Sequence, residues 1–257
     1  MSLVPENESS PQAPPDEASG VRLAVPTAPA VGTYILLGLI VAIWLAMTAL
    51  GGSEDPYVLL AFGAKYNPLI AAGQYWRLLT ATFLHIGILH LLFNGYSLYI
   101  LGSMVESRFG HSRFVILYLL AGVAGSTASF LGNKALSAGA SGAIFGLMGA
   151  VIVYFARYRH NLPSGGRQLS SILMVAGFNL VWGLSSQQID NLGHIGGLIA
   201  GLLLGLAFCP RYEAEWAPEL GQPRLADRYS RPLAVLAALA LSVAIAALVM
   251  LGVHIQS

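Results

Sequence analysis

The chain has 257 residues, of which 56% are hydrophobic and 10% charged, with a formal net charge of +1. That is too little charge for the surface of a soluble domain of this length, and a mean hydropathy of +0.67 points to the lipid bilayer as solvent. A near-neutral chain without Lys/Arg clusters between aromatics is not built for nucleic acid, and the single Cys209 rules out an intramolecular disulfide and reads as a small apolar residue at a helix end.

Residues 1–30 hold six prolines, four acids and one arginine. They lack an apolar run and have neither signal- nor transit-peptide character, so 1–31 reads as a disordered cytosolic tail. Seven apolar stretches then approach the ~17–25 residues that a crossing helix needs. They are Gly32–Leu50, Leu78–Val105, Phe114–Leu131, Ser141–Ala156, Leu169–Leu184, Leu192–Cys209 and Pro232–Val253. The expected fold is all-α, a polytopic membrane bundle. Six helices form a core over 32–209, a cytosolic linker covers 210–231, and a seventh transmembrane helix lies in 232–257. Ten of the 13 Lys and Arg fall in the tail and the even-numbered loops, leaving Lys65, Arg77 and Lys134 in the odd ones. The positive-inside bias then puts the N-terminus in the cytoplasm and the C-terminus outside.

Polar side chains within spans are costly and mark function by default. The second span carries His85, His90 and Asn94. The fourth opens with Gly139-Ala140-Ser141-Gly142, and the sixth holds Asp190-Asn191-Leu192-Gly193-His194 followed by Ile195-Gly196-Gly197. Counted back from Arg157, Arg211 and Arg108 at about 1.5 Å per residue, Ser141, His194 and His90 lie about 24–27 Å from the cytoplasmic charges. That is nearly one level, below the outer surface of a core about 30 Å thick. The fourth helix therefore starts inside the membrane, which requires a protein-enclosed, water-accessible cavity. Gly197, Gly201 and Gly205 share the face of His194, and Gly142, Gly146 and Ala150 recur at the same spacing after Ser141. Small residues at that period let two helices approach closely in lipid, so the two ladders are expected to pack with Ser141 and His194 at their heads.

A serine hydroxyl becomes nucleophilic when an adjacent base accepts its proton, and an unpaired buried histidine is neutral, as a base must be. His90, Asn94 and the Ser141 backbone N–H are the donors at hand for an oxyanion, each worth ~3–4 kcal/mol of barrier. At this point the chain resembles the rhomboid family of intramembrane serine proteases. The resemblance is carried by Trp76-Arg77, by His85, His90 and Asn94, by Glu106 and Gly110, by Gly139-Ala140-Ser141-Gly142, and by His194 with Gly197. It covers about residues 32–209 and the motifs follow family order. It implies a Ser141–His194 dyad, an oxyanion and substrate-binding site at His90, Asn94, Gly139 and Phe145, and a loop at Trp76 lying on the outer interface. It also implies the six-plus-one architecture, with no cofactor or metal. Family members commonly carry Tyr where Phe145 stands; phenyl keeps the stacking on histidine and loses the hydroxyl.

Blander readings exist for each residue. Ser141 fits a helix N-cap, His194 a structural histidine, and His90 and Asn94 interhelical hydrogen bonds. His85, about 140° from His90 on an assumed common helix, reads as structural support. Asp190 reads as the cap of the sixth helix rather than a third triad member, and Glu106 as structural. A metal site among His85, His90 and His194 lacks paired ligands on one face. The function expected is cleavage of transmembrane proteins near or within their spans. The alternatives are an inactive rhomboid-like scaffold that binds membrane clients, and a transporter, which would show a second broken helix. The partners are membrane-spanning substrates and the bilayer, in a bacterial inner membrane.

Overall fold

The computed structural model describes residues 23–186, 189–218 and 220–256, so the expected tail up to residue 22 lies outside the described residues. In chain order the helices are α1 (Val31–Ala49), α2 (Pro56–Phe62), α3 (Asn67–Ala71), α4 (Arg77–Thr80), α5 (Gly87–Phe109), α6 (His111–Gly132), α7 (Ser141–Tyr158), α8 (Gly165–Leu184), α9 (Asn191–Phe208) and α10 (Arg231–Gln256). A hairpin of β1 (Tyr212–Ala217) and β2 (Gln222–Asp227) precedes α10. Six helices, α1, α5, α6, α7, α9 and α10, are long and apolar enough to cross a membrane. The expected fifth span, α8, is 20 residues long but falls short in apolarity, because Arg167, Gln168, Ser170, Ser171 and Asn179 dilute it.

α7 lies at the centre, buried from Ala143 to Val151 and again at Val153, Tyr154 and Phe155. It packs chiefly on α9 and α6, which also pack on each other. The glycine ladders meet rung by rung. A Cβ on Gly197 would stand 1.9 Å from Gly142 O, one on Gly201 1.9 Å from Gly146 O, and one on Gly205 3.0 Å from the Ala150 Cα. Helix backbones this close gain dispersion contacts that larger side chains would prevent. α1 and α10, by contrast, leave most side chains exposed, among them Ile35, Leu236 and Val243, as helices facing hydrocarbon do.

Two expectations need correction. The second span is not one helix from Leu78 to Val105. The chain makes the short α4 and a 3-10 turn over Ala81–Phe83, runs extended at Leu84 and Ile86, and restarts as α5 at Gly87. His85 therefore precedes the helix that carries His90, and the 140° separation does not apply. The residues from 210 to 231 are also more than an open linker. β1 pairs antiparallel with β2, Tyr212 opposite Asp227 and Ala217 opposite Gln222. Arg113, at the start of α6, joins this hairpin to the core. It donates to the Asp227 carboxylate at 2.6 Å and to Phe208 O at 3.0 Å, and lies 3.9 Å over the Tyr229 ring.

The α5–α6 corner turns at Gly110, whose φ of 81° suits glycine and few other residues. Beside it, Glu106 is fully buried and accepts from Gly32 N–H, from Thr33 N–H and Oγ1, and shares a bond with His111 Nδ1. That carboxylate ties the starts of α1 and α6 to the end of α5, as its structural reading anticipated.

Candidate active site

The segment from 133 to 140, between α6 and α7, is held on one edge by the loop after α2. Lys65 N–H donates to Ser137 O (2.9 Å) and Ser137 N–H to Lys65 O (3.1 Å), while Gly139 N–H donates to Ala81 O (2.9 Å). Gly139 has φ of 149°, and a Cβ there would fall 2.7 Å from His90 Cε1 and 2.8 Å from His90 Nε2. Glycine is thus required twice over, by backbone and by space. His85, fully buried, accepts Ala140 N–H at Nε2 over 3.4 Å; its ring stands edge-on to His90, centroids 5.3 Å apart. His85 thereby anchors the residue before Ser141, a supporting role that bears out its reading, although by different geometry.

Ser141 is the first residue of α7. The N-cap position belongs to Ala140, and no side chain caps the helix. The hydroxyl is therefore not consumed as a cap, and it sits at the positive end of a helix whose first N–H groups have no intrahelical partner. α9 starts at Asn191 under a cap from Asp190, which accepts Gly193 N–H at 3.2 Å. A Cβ on Gly142 would lie 3.3 Å from Gly193 O, so the residue after Ser141 touches the residue before His194. One turn further along α7, Phe145 lies against the imidazole of His194, ring centroids 4.3 Å apart and planes 12° from parallel. The tyrosine-to-phenylalanine departure keeps the stack. No hydrogen bond joins Ser141 to His194 among the described residues, a looseness common in catalytic pairs without substrate. His194 Nδ1 is buried without a partner among the described residues, Asp190 included.

His90 Nδ1 accepts Ile86 N–H at 3.4 Å, so in the neutral ring Nε2 carries the proton. The Cε1–Nε2 edge of the ring faces Gly139. Asn94 is buried, and its Nδ2 donates to His90 O on its own helix at 2.9 Å. It makes no described contact with Ser141; one N–H remains for another acceptor. A cavity of about 40 Å³ opens beside Ser141, lined by Ser141, Gly139, Gly142, Gly193, Ser137 and Asp190 among others. It has room for about three waters and polar groups to hold them. Among the described residues no three His, Cys, Asp or Glu side chains gather to bind a metal.

Two cations placed in the outer loops prove to be internal. Lys65 is fully buried, its Nζ donating to Asn133 O at 2.5 Å and Ala135 O at 3.0 Å. Burial pulls its pKa from 10.5 down to about 8, against the opposing field of Asp190. Arg77 donates to Leu60 O at 2.8 Å, Ala64 O at 3.1 Å and Gln74 Oε1 at 2.8 Å, and lies over the half-exposed Trp76 ring. Burial raises the Asp190 carboxyl, but bonds from Ser129 Oγ and Gly193 N–H outweigh it and hold the group below its ordinary value. No local pattern in Phe62-Gly63-Ala64-Lys65 signals that Lys65 is internal; its partners lie 68 and 70 residues away.

Comparison with known proteins converges on the same region. Residues 72–211 match the family model of the Rhomboid domain, more than half of the chain. The rhomboid protease GluP of Bacillus subtilis (strain 168) is 44% identical over 176 residues, 68% of this chain and 34% of that protein. RHOMBOID-like protein 6, mitochondrial, of Arabidopsis thaliana is 37% identical over 157 residues, covering 59% and 49%. Rhomboid-like protease 1 of Toxoplasma gondii is 37% identical over 159 residues, covering 59% and 53%. The chain thus spans between about a third and a half of the length of these relatives. With six helices of spanning length and the domain match laid over the glycine-notched core, this is a multi-pass integral membrane protein, and it belongs to the rhomboid family.

Proposed function

We propose that the chain is an intramembrane serine endopeptidase in which Ser141 is the nucleophile and His194 the general base. The observation that carries this is the crossing of α7 and α9. Gly142 touches Gly193 there and Phe145 stacks on His194, so an uncapped serine at a helix start and an imidazole lacking a partner on Nδ1 face one junction. His194 takes the Ser141 proton as the hydroxyl attacks a peptide carbonyl, and returns it to the leaving amine. The oxyanion forms beside the free N–H groups of the first turn of α7 and the Nε2–H of His90, with the spare N–H of Asn94 as a further donor. Water from the adjoining cavity then hydrolyses the acyl-enzyme.

The peptide has a seat as well. Ser137 turns its N–H and C=O toward Lys65, whereas the backbone groups of its neighbours Leu136 and Ala138 make no bond among the described residues. Backbone groups alternate sides along an extended segment, so the opposite edge of 136–138 is open to a substrate strand. A transmembrane substrate must unwind to use it, because helical N–H and C=O groups are already paired. This favours substrates with helix-breaking residues near the outer interface. Membrane orientation follows from charge. Of Lys65, Arg77 and Lys134 on the outer side, two are buried against loop carbonyls, whereas Arg211, Arg224 and Arg228 cluster on the hairpin side, which is therefore cytoplasmic. The membrane is a bacterial plasma membrane, in keeping with the Bacillus relative.

Labelling with a serine-directed fluorophosphonate, alongside cleavage of single-span substrates, tests the assignment. The wild type is expected to label and to cut. Ser141→Ala and His194→Ala are each expected to lose at least about 1,000-fold in cleavage and all detectable labelling. Equal labelling of wild type and Ser141→Ala ends the reading. A wild type that folds, binds substrate and does neither is a client-binding scaffold.

A further inference from the structure

The buried cation at Lys65 has no part in the chemistry above, and a buried charge is a poor way to stabilise a fold. A methionine, one atom shorter, would fill most of the space at lower desolvation cost. The position of the ammonium suggests another use. The ammonium donates to Asn133 O and Ala135 O, and the Lys65 backbone exchanges two bonds with that of Ser137, so all four bonds go to the segment that leads into Gly139 and Ser141. Across that segment lies Asp190, which accepts from Ser129 Oγ and from Gly193 N–H and lines one cavity with Ser137. Ser129 and Ser137 Oγ are themselves 3.4 Å apart. Lys65 and Asp190 form no direct ion pair among the described residues, and the Asp190 charge partly offsets the fall in the Lys65 pKa. Lys65 comes from the loop after α2; Asp190 caps α9 one turn before His194.

We propose that Lys65 and Asp190 are positioning residues, a buried cation and a half-buried carboxylate that clamp segment 133–138 between the first outer loop and the start of the base-bearing helix. The clamp sets the open peptide-binding edge at 136–138 in register with Gly139 and Ser141, and fixes that edge relative to His194. It deepens the protease reading and rests on it for its kinetic test, while its structural test does not. A small reagent reaches Ser141 without using the edge; a peptide does not. Loss of the clamp therefore separates the two.

The test compares Lys65→Met, Asp190→Asn, the double variant, and Lys134→Met as an exposed control on the same segment. In Lys65→Met and in Asp190→Asn, kcat/KM for a single-span substrate is expected to fall at least about tenfold, mainly through KM, with fluorophosphonate labelling of Ser141 changed less than about threefold. The double variant is expected to lose less than the product of the two single losses, because removing one charge strands the other. Lys134→Met should match wild type. Hydrogen exchange of peptides covering 133–139 is expected to quicken at least about tenfold in both single variants, whether or not the protein proves to be a protease. Cleavage and labelling that fall together with the folded fraction would assign Lys65 to stability alone. Unchanged exchange in both variants, or strictly multiplicative losses, would also overturn the clamp. A wild type that neither labels nor cuts defeats the protease reading, and exchange alone then decides the clamp.

Discussion

α7 and α8 are consecutive helices of 18 and 20 residues, yet they belong to the molecule in different ways. Twelve residues of α7 are buried, against three of α8, namely Gly165, Ala176 and Gly183. α8 instead shows Met174, Phe178, Val181 and Trp182 to the outside, the last two aromatics stacked on each other at 6.1 Å. The difference lies in small residues. Gly142, Gly146 and Gly149 let α7 press backbone to backbone on α9; in α8 a Cβ on Gly177 would meet nothing within 4 Å. Close backbone contact is rigid and intolerant of change, and it sits where two side chains must keep their relation. A helix attached by a few contacts is free to shift against the core.

The sharpest way to break this contrast is one methyl group at two places. Gly201→Ala brings a Cβ to 1.9 Å from Gly146 O, and is expected to cost about 3 kcal/mol or more by overpacking, read as loss of folded protein after detergent extraction. Next comes the buried cation that feeds the rigid region. Lys65 drops from 10.5 to about 8 on folding, so between those values the unfolded chain holds a proton that the folded one has released. Stability should therefore rise with pH through that window, by about 3 kcal/mol at most, and Lys65→Met should lack the rise. Thermal unfolding at several pH values from 8 to 10.5 measures it.

Smaller effects follow within the site and on α8. Phe145→Ala strips the ring from His194 and is expected to lower kcat about tenfold in excess of its packing cost. Phe145→Tyr, which retains the stack, should stay within about threefold of wild type. Smallest is Gly177→Ala on α8, where an extra methyl meets open space and helix propensity rises; a gain of about 0.5–1 kcal/mol is expected. A loss there as large as that of Gly201→Ala would erase the distinction between the two helices.

Much of the α7–α9 junction was legible beforehand because its cause is local. A run of small residues every four positions faces one way on any helix, and Ser141 and His194 head two such runs. Asp190 before an apolar run reads as a cap, and it is one. The helix break before His85 escaped because Leu78 to Leu84 is mostly apolar, with only Thr80 and Thr82 between. Hydropathy sees no reason for the chain to leave the helix, and the bond from Ala140 N–H to His85, 55 residues apart, supplies the reason only in three dimensions. The hairpin escaped similarly. Acids and prolines between Tyr212 and Asp227 read as linker, and the Arg113 contact that holds the strands comes from α6.

Taken alone, the order of residues determined the number of long helices, the points where α7 and α9 begin, and the faces on which they are notched, since periodicity, caps and hydropathy act over one or two turns. Only the tertiary structure decided that Lys65 is internal, that the Cε1–Nε2 edge of His90 faces Gly139, and that the backbone groups of Leu136 and Ala138 are left unbonded among the described residues. Those outcomes depend on desolvation and hydrogen bonding between segments many residues apart, and no local pattern records which partners will be close enough to satisfy a buried polar group.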